Sequence, residues 1–367
     1  MTLAIYRRYR PATFGDLLGQ ELTARTLKEA AKQEKLAHAY LLAGPRGTGK
    51  TTTARLIAKI ANCETRAKDA KFRGEGEPCN HCTHCTEIDE GRSLDVIEID
   101  GASNRGIDEI RDLKDSIRLA PTSSPRKVFI IDEAHQLTPA AFNALLKSLE
   151  EPPPHIVIIL ATTEADRIPP TIVSRTQQFH FRLVPRELVV NKLHRIVKEE
   201  GVGATDEALE LIAASGEGSF RDAESLLDQL IAFGDKDITL ADVEGMIGKV
   251  GFTKLSRFAG LLLANNRKDA LAALAELTDG GYNLAQFTKD LIQYLRRVAV
   301  VATSPAMANV FAKELTKEHL EQLAAHAKEF KDAHLELLKA LIGAYGQMRY
   351  SQFPIIPLEV AIIEALK

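Results

Sequence analysis

The stretch "AYLLAGPRGTGKTTTARLIAKIA", residues 39–61, constrains the chain more than any other. Ala39 to Ala43 is an apolar run of strand length. Gly44-Pro45-Arg46-Gly47-Thr48-Gly49-Lys50-Thr51 then fits G-x-x-x-x-G-K-T, and an amphipathic helical pattern follows. Strand before and helix after is the setting in which this spacing makes a phosphate cradle. The glycines let backbone N–H groups approach phosphate oxygens, and the helix N-terminus adds partial positive charge. Lys50 supplies a point charge to the outer phosphates, and the Thr51 hydroxyl is placed for Mg²⁺. Arg46, inside the loop, is expected to face solvent.

Hydrolysis at such a loop needs carboxylates, and "KVFIIDEAHQL" at 127–137 offers them. Val128 to Ile131 reads as a fully buried strand, short and continuously apolar. Asp132 at its carboxyl end would hold Mg²⁺ through water, and Glu133 would polarise the attacking water. His135 either couples this strand end to a neighbour or fills space. "DVIEID" at 95–100 and "HIVIILATT" at 155–163 read as further strands between helical stretches. The alternation predicts a parallel sheet covered on both faces, an α/β fold. Thr162 or Thr163, at the end of the last of these strands, could meet the γ-phosphate or the water, or cap the strand.

"CNHCTHC" at 79–85 holds three of the four cysteines, and Cys63 is the fourth. Two-residue gaps let successive thiolates turn onto one tetrahedral ion. The loop between, "ETRAKDAKFRGEGEP", has too little apolar content to fold on its own core, a role that structural zinc can take over. Cys63, Cys79, Cys82 and Cys85 are therefore expected to bind Zn²⁺ in a closed, structural site. Disulfides are disfavoured in a reducing compartment. His81 and His84 are expected to be solvated bystanders.

No apolar run of membrane-spanning length occurs, and the N-terminus lacks a signal-peptide hydrophobic stretch, so a cytoplasmic location is expected. A net charge of −3 excludes a generally basic nucleic-acid coat but not a local basic groove.

"GPRGTGKT", "DEAH", "LATT", "SRT" at 174–176 and "GSFRDAESLLDQ" at 218–229 follow one another as in AAA+ clamp-loader ATPases, and the chain resembles that family. "YRRYRPATFGDLLGQ", "EIDGASNRGIDEIRDL", "FNALLKSLEEPPPH" and the four-cysteine insert make it most similar to the γ/τ-type subunits of bacterial DNA polymerase III. The likeness is dense over residues 5–248 and thinner beyond. Related archaeal and eukaryotic loader subunits lack the insert, and δ′ subunits carry it without an intact phosphate loop.

This resemblance implies an AAA+ P-loop parallel sheet with a zinc-binding insert, a helical lid and an all-α collar. The expected limits are 1–181, with the zinc module at about 63–85, then 182–249 and 250–367. It implies ATP bound by residues 44–51 with Mg²⁺ at Thr51. "YRRYRP" is either an adenine-side lid, the favoured reading, with Arg10 and Leu18 near the base, or an ordinary basic arm. Asp132 and Glu133 become the hydrolytic pair, Thr163 the first sensor and Arg221 the second. Arg175 becomes an arginine finger serving the adjacent subunit's ATP. The family often reads Ser-Arg-Cys there, and this chain has Thr176. Without the resemblance, Arg175 reads as a surface ion-pair residue. Arg105, in the turn of "GASNRGIDEIRDL", is expected to meet the DNA backbone, although Gly106 stands where some relatives are basic. The alternative is a capped helix start with no ligand.

From about Arg182 onward the chain reads helical, with apolar stripes wide enough that some must face a partner unless one core buries them. The resemblance assigns them to a collar joining five subunits: δ, δ′ and further γ/τ copies. The sliding clamp and primer–template DNA are the other implied partners, with no membrane. Ending directly after "AIIEALK", the sequence is open to two readings, a full-length chain or a shortened product. Clamp loading by ATP is the leading expectation. A DNA translocase or helicase is the alternative, although a helicase needs a second sheet domain that this pattern lacks. A non-hydrolysing scaffold conflicts with intact Lys50, Asp132, Glu133 and Arg175.

Overall fold

A computed structural model describes residues 3–103, 116–233, 237–247, 250–311, 315, 317–348 and 350–366. Arg105 and Gly106 lie outside the described residues. The chain divides into two compact units, Met1–Ile196 with Ala213–Asp228, and Val197–Ile212 with Gln229–Lys367. The helical segment expected to form the lid is shared between them.

Five strands build the first unit: β1 (Ala39–Ala43), β2 (Val96–Asp100), β3 (Lys127–Asp132), β4 (Ile156–Thr162) and β5 (Gln177–His180). They form one parallel sheet in the order β2-β3-β4-β1-β5. β5 does not stand out in the sequence. Only Phe179 of its four residues is buried, so alternation there is too short to read.

The central strands are apolar throughout because helices cover both faces. Tyr40, Leu42, Val128, Ile130, Val157 and Ile159 pack with Leu27 of α1 (Glu21–Lys32) and with Leu56 and Ile57 of α2 (Lys50–Asn62). Leu41, Phe129, Ile131, Ile158 and Leu160 point the other way, to Phe142, Leu145 and Leu149 of a later helix, Pro139–Glu150. Burying each such side chain contributes about 1.5–3 kcal/mol. Thr138 caps Pro139–Glu150 by accepting from Ala141 N, with proline at the first helical position.

The cysteine insert runs from α2 through two short helices, Glu64–Lys68 and Ala70–Arg73, to α3 (Thr83–Glu90); Pro139–Glu150 is α4. Among the described residues, the only strands beyond 181 are Gly203–Ala204 and Asp237–Ile238, two residues each and paired parallel. They make no second large sheet.

The second unit is helical. Its main helices are Phe252–Leu263, Arg267–Asp279, Leu284–Thr303, Lys317–Glu329, Ala333–Met348 and Ile355–Ala365. Phe258, Leu262, Leu274, Phe287, Leu291, Leu295, Leu341 and Ile362 share one core, with Phe258 edge-on to Phe287 at 5.1 Å. That core does not take up every apolar stripe. Ile342, Ile356, Val360 and Ile363 on the last two helices remain exposed.

Candidate active site and metal centre

The loop between β1 and α2 uses the backbone freedom that its glycines supply. Gly44, Gly47 and Gly49 have φ of 152°, 72° and 105°. A Cβ at Gly44 would fall 2.5 Å from the Phe181 carbonyl oxygen, and one at Gly47 would fall 1.8 Å from Ser219 Oγ. Close packing therefore adds to the φ requirement at both positions.

Lys50 is buried, and its Nζ donates to the carbonyls of Gly44 (2.8 Å) and Pro45 (2.7 Å). Burial lowers its pKa, opposed by the Glu133 and Asp132 carboxylates. Thr48 Oγ1 donates to Pro45 O at 2.8 Å, which braces the loop, and Arg46 is exposed as expected.

β3 and β4 carry their polar ends to the same place. Thr51 Oγ1 donates to Asp132 Oδ2 at 2.7 Å, joining the phosphate loop to the acid pair. Thr163 Oγ1 donates to Glu133 Oε2 at 3.0 Å. Thr162 faces the other way, fully buried, with its Oγ1 3.0 Å from His135 Nδ1. His135 therefore couples the ends of β3 and β4. Glu133 adopts a left-handed backbone, φ 46°, a conformation that costs about 1–3 kcal/mol and clusters at functional sites. Gly101, just past β2, lies against this pair: its N donates to Asp132 O at 2.8 Å, and a Cβ there would fall 2.8 Å from Glu133 O.

Two separate stretches, Leu17 and Ser219–Arg221, pack against the loop. Arg221 Cβ lies 3.4 Å from where a Gly47 Cβ would stand, and its guanidinium sits over the Tyr6 ring at 5.2 Å. Ser219, buried, accepts from Asp222 N and begins the Phe220–Ala232 helix at Gly47. Leu17, also buried, faces Gly49, whereas Leu18 is 38% exposed. Arg10 is half-buried; burial, with the charge of Arg55 adding to it, lowers its pKa. Leu17, Ser219 and Tyr6 were not picked out from sequence, because what places them is packing and no motif marks them.

Arg175 sits apart from this cluster. Its Nη2 pairs with Glu150 Oε1 at 2.7 Å, and its Nη1 donates to Thr171 O at 2.9 Å.

The four cysteines converge. One sulfur from each of Cys63, Cys79, Cys82 and Cys85 lies within 4.8 Å of the others, and Cys79 Sγ is 4.0 Å from Cys85 Sγ. A tetrahedral zinc–thiolate site has sulfurs about 3.8 Å apart, from Zn–S bonds of about 2.3 Å, so the donor set fits such an ion. The Cys63 thiol is held down to about 4, first because Cys85 donates to it, and Cys85 is pushed up by the same contact. Only a cation would let all four be thiolates together. His81 is exposed, as expected. His84 is not solvated: it is buried, with Nδ1 3.4 Å from Ser124 Oγ. A residue distant in sequence covers it, and no local spacing shows that.

Family models match in succession. "DNA polymerase III, delta subunit" covers 19–185, "DNA polymerase III clamp loader subunit, ATPase lid domain" 188–236, and "DNA polymerase III subunits gamma and tau domain III" 238–367. DNA polymerase III subunit tau of Bacillus subtilis (strain 168) is 41% identical over 365 residues, covering 98% of this chain and 62% of that protein. The chain thus spans under two thirds of that relative's length. DNA polymerase III subunit gamma of Buchnera aphidicola is 33% identical over 361 residues, covering 98% and 97%. Among solved structures, the Thermotoga maritima RuvB Holliday junction branch migration motor is 21% identical, with TM-score 0.47 over 70% of this chain and 79% of that one. The Bacillus subtilis DNA clamp loader delta protein is 13% identical, with TM-score 0.41 over 93% and 99%. A G-x-x-x-x-G-K-T loop bonded to the Asp132–Glu133 strand end, three family models in succession and matches to tau and gamma over nearly all of this chain place it in the DNA polymerase III gamma/tau family of AAA+ clamp-loader ATPases.

Proposed function

We propose that this chain is an ATP-hydrolysing subunit of a bacterial clamp loader, which opens a sliding clamp and places it on primed DNA in the cytoplasm. One observation carries the reading. Thr51 reaches Asp132, and Thr163 reaches Glu133, so loop, metal carboxylate, water-activating carboxylate and sensor hydroxyl form one connected set.

In this reading Gly44 to Thr51 wrap the phosphates, and Arg10 and Leu18, with Leu17, lie toward the base. Lys50 contacts the outer phosphates. A Mg²⁺ ion held through Thr51 and Asp132 would neutralise charge on them. Glu133 takes the proton of the attacking water, Thr163 orients Glu133, and Arg221 swings from Tyr6 to the γ-phosphate. Arg175, half-exposed beside Glu150, completes the site of the next subunit. The working divisions are 1–181, 182–249 and 250–367. Exposed Ile342, Ile356, Val360 and Ile363 support a collar role for the last, meeting δ, δ′ and further γ/τ copies. Arg105 is proposed to touch the DNA backbone, and the four cysteines to hold one structural Zn²⁺.

The test is ATP hydrolysis by the reconstituted loader with primed DNA and clamp, each alone and together. A loader turns over slowly alone and fast with both, and Lys50→Ala abolishes nucleotide binding. Stimulation by DNA alone, with duplex unwinding, would instead show a helicase. Metal analysis should find about one zinc per chain, as closed four-thiolate sites hold. A strong chelator should then loosen 63–85 before the sheet unfolds. A folded, active, zinc-free preparation would remove the zinc assignment.

A further inference from the structure

Glu77, two residues before Cys79, carries the cysteine insert across to the phosphate loop. Its Oε2 accepts from Phe14 N at 2.7 Å, its Oε1 accepts from Gly15 N at 3.2 Å, and Lys28 Nζ lies 3.0 Å from the same Oε1. Phe14 and Gly15 open the short helix Phe14–Asp16, and the next residue, Leu17, faces Gly49 of the phosphate loop. Gly76, at φ 73°, lets the insert lie flush on α1, since a Cβ there would fall 2.5 Å from Lys28 O.

Two further moorings support this one. Arg66, buried, donates to Ala31 O near the end of α1 at 2.8 Å. Lys59 of α2, also buried, donates to Asn80 Oδ1 between the cysteines at 3.0 Å and pairs with Asp89. The insert is thus fastened by charged groups to the segment and the helix that flank the loop. Its own short helices bury no apolar side chain. Apart from these polar moorings, the gathered cysteines are what holds the insert together.

We propose that the cysteine insert is a strut for the nucleotide site, with Glu77 as the positioning residue that fixes Phe14–Leu17 against Gly49. Metal loading then raises nucleotide affinity, and nucleotide raises metal affinity by the same factor, since binding linkage is reciprocal. This rests on the ATP and zinc readings above.

The full chain is titrated with a fluorescent ATP analogue, zinc-loaded and after chelation. Wild type should lose affinity on the order of tenfold on chelation, about what one charge-assisted hydrogen bond is worth. Zinc-loaded Glu77→Ala should show the same loss with unchanged zinc content and a still cooperative melting transition, and chelating it should add nothing. Glu77→Gln, which keeps one acceptor, should recover part of the affinity. In the assembled loader KM for ATP should rise while kcat holds, and amide exchange at 14–17 should quicken. If Glu77→Ala folds poorly, Glu77→Gln carries the same comparison. Wild-type affinity in the zinc-loaded variant, or additive losses from mutation and chelation, would overturn the strut alone. A wild-type chain that binds no nucleotide would sink the ATP reading, and the strut with it.

Discussion

Arg175→Ala should leave nucleotide binding intact and cut turnover of the assembled loader by about 10³-fold or more, the range for losing an arginine finger. The side chain's contacts make the two halves separable. Among the described residues its partners are Glu150, Thr171 and Ser174, and none belongs to Gly44–Thr51. Binding by its own chain therefore has no reason to weaken. The half-exposed pair with Glu150 is worth about 0–1 kcal/mol. A finger acting on a transferring phosphoryl lowers the barrier by about 4–7 kcal/mol, the equivalent of that rate factor. Leaving a pair this weak costs little of that gain, so Glu150 can hold Arg175 at rest without locking it. Steady-state hydrolysis with DNA and clamp, beside an equilibrium nucleotide titration, checks both halves. Full turnover in a loader whose every γ/τ copy carries the substitution would end the role in trans.

Glu133→Gln should keep ATP bound and slow hydrolysis by roughly 10²–10⁴-fold, the usual worth of a general base. The amide is isosteric, and its oxygen can still accept from Thr163 Oγ1, so the strand-end geometry survives. Only the proton acceptor is lost. The loader should then stall on clamp and DNA, because the step that releases them no longer occurs. Single-turnover hydrolysis measures the chemistry, and clamp retention on primed DNA measures the stall. An unchanged single-turnover rate would move the base elsewhere.

What the sequence shows and what it hides follow from range. Residues 39–51 and 127–133 are contiguous, and their chemistry requires particular residue types at fixed steps; the strands and the loop fall where the pattern places them. The four cysteines are readable for the same reason, since tetrahedral ligation constrains spacing. β5 is hidden because one buried residue makes no pattern, and it exists by pairing with β1. His84 is hidden because Ser124 covers it from 40 residues away. Glu77 carries no motif at all, and its importance comes from Phe14 and Gly15, more than sixty positions earlier. Leu17 and Leu18 are indistinguishable as letters, yet only Leu17 turns toward Gly49.

Gly101 gives the chain a short line of communication between the turn after β2 and the backbone of Asp132 and Glu133. Its amide hangs from the Asp132 carbonyl, and bare Cα is all that fits between the turn after β2 and the backbone of 132–133. A tug on that turn from outside is therefore delivered to the peptide planes carrying both acids, with no side chain between to absorb it.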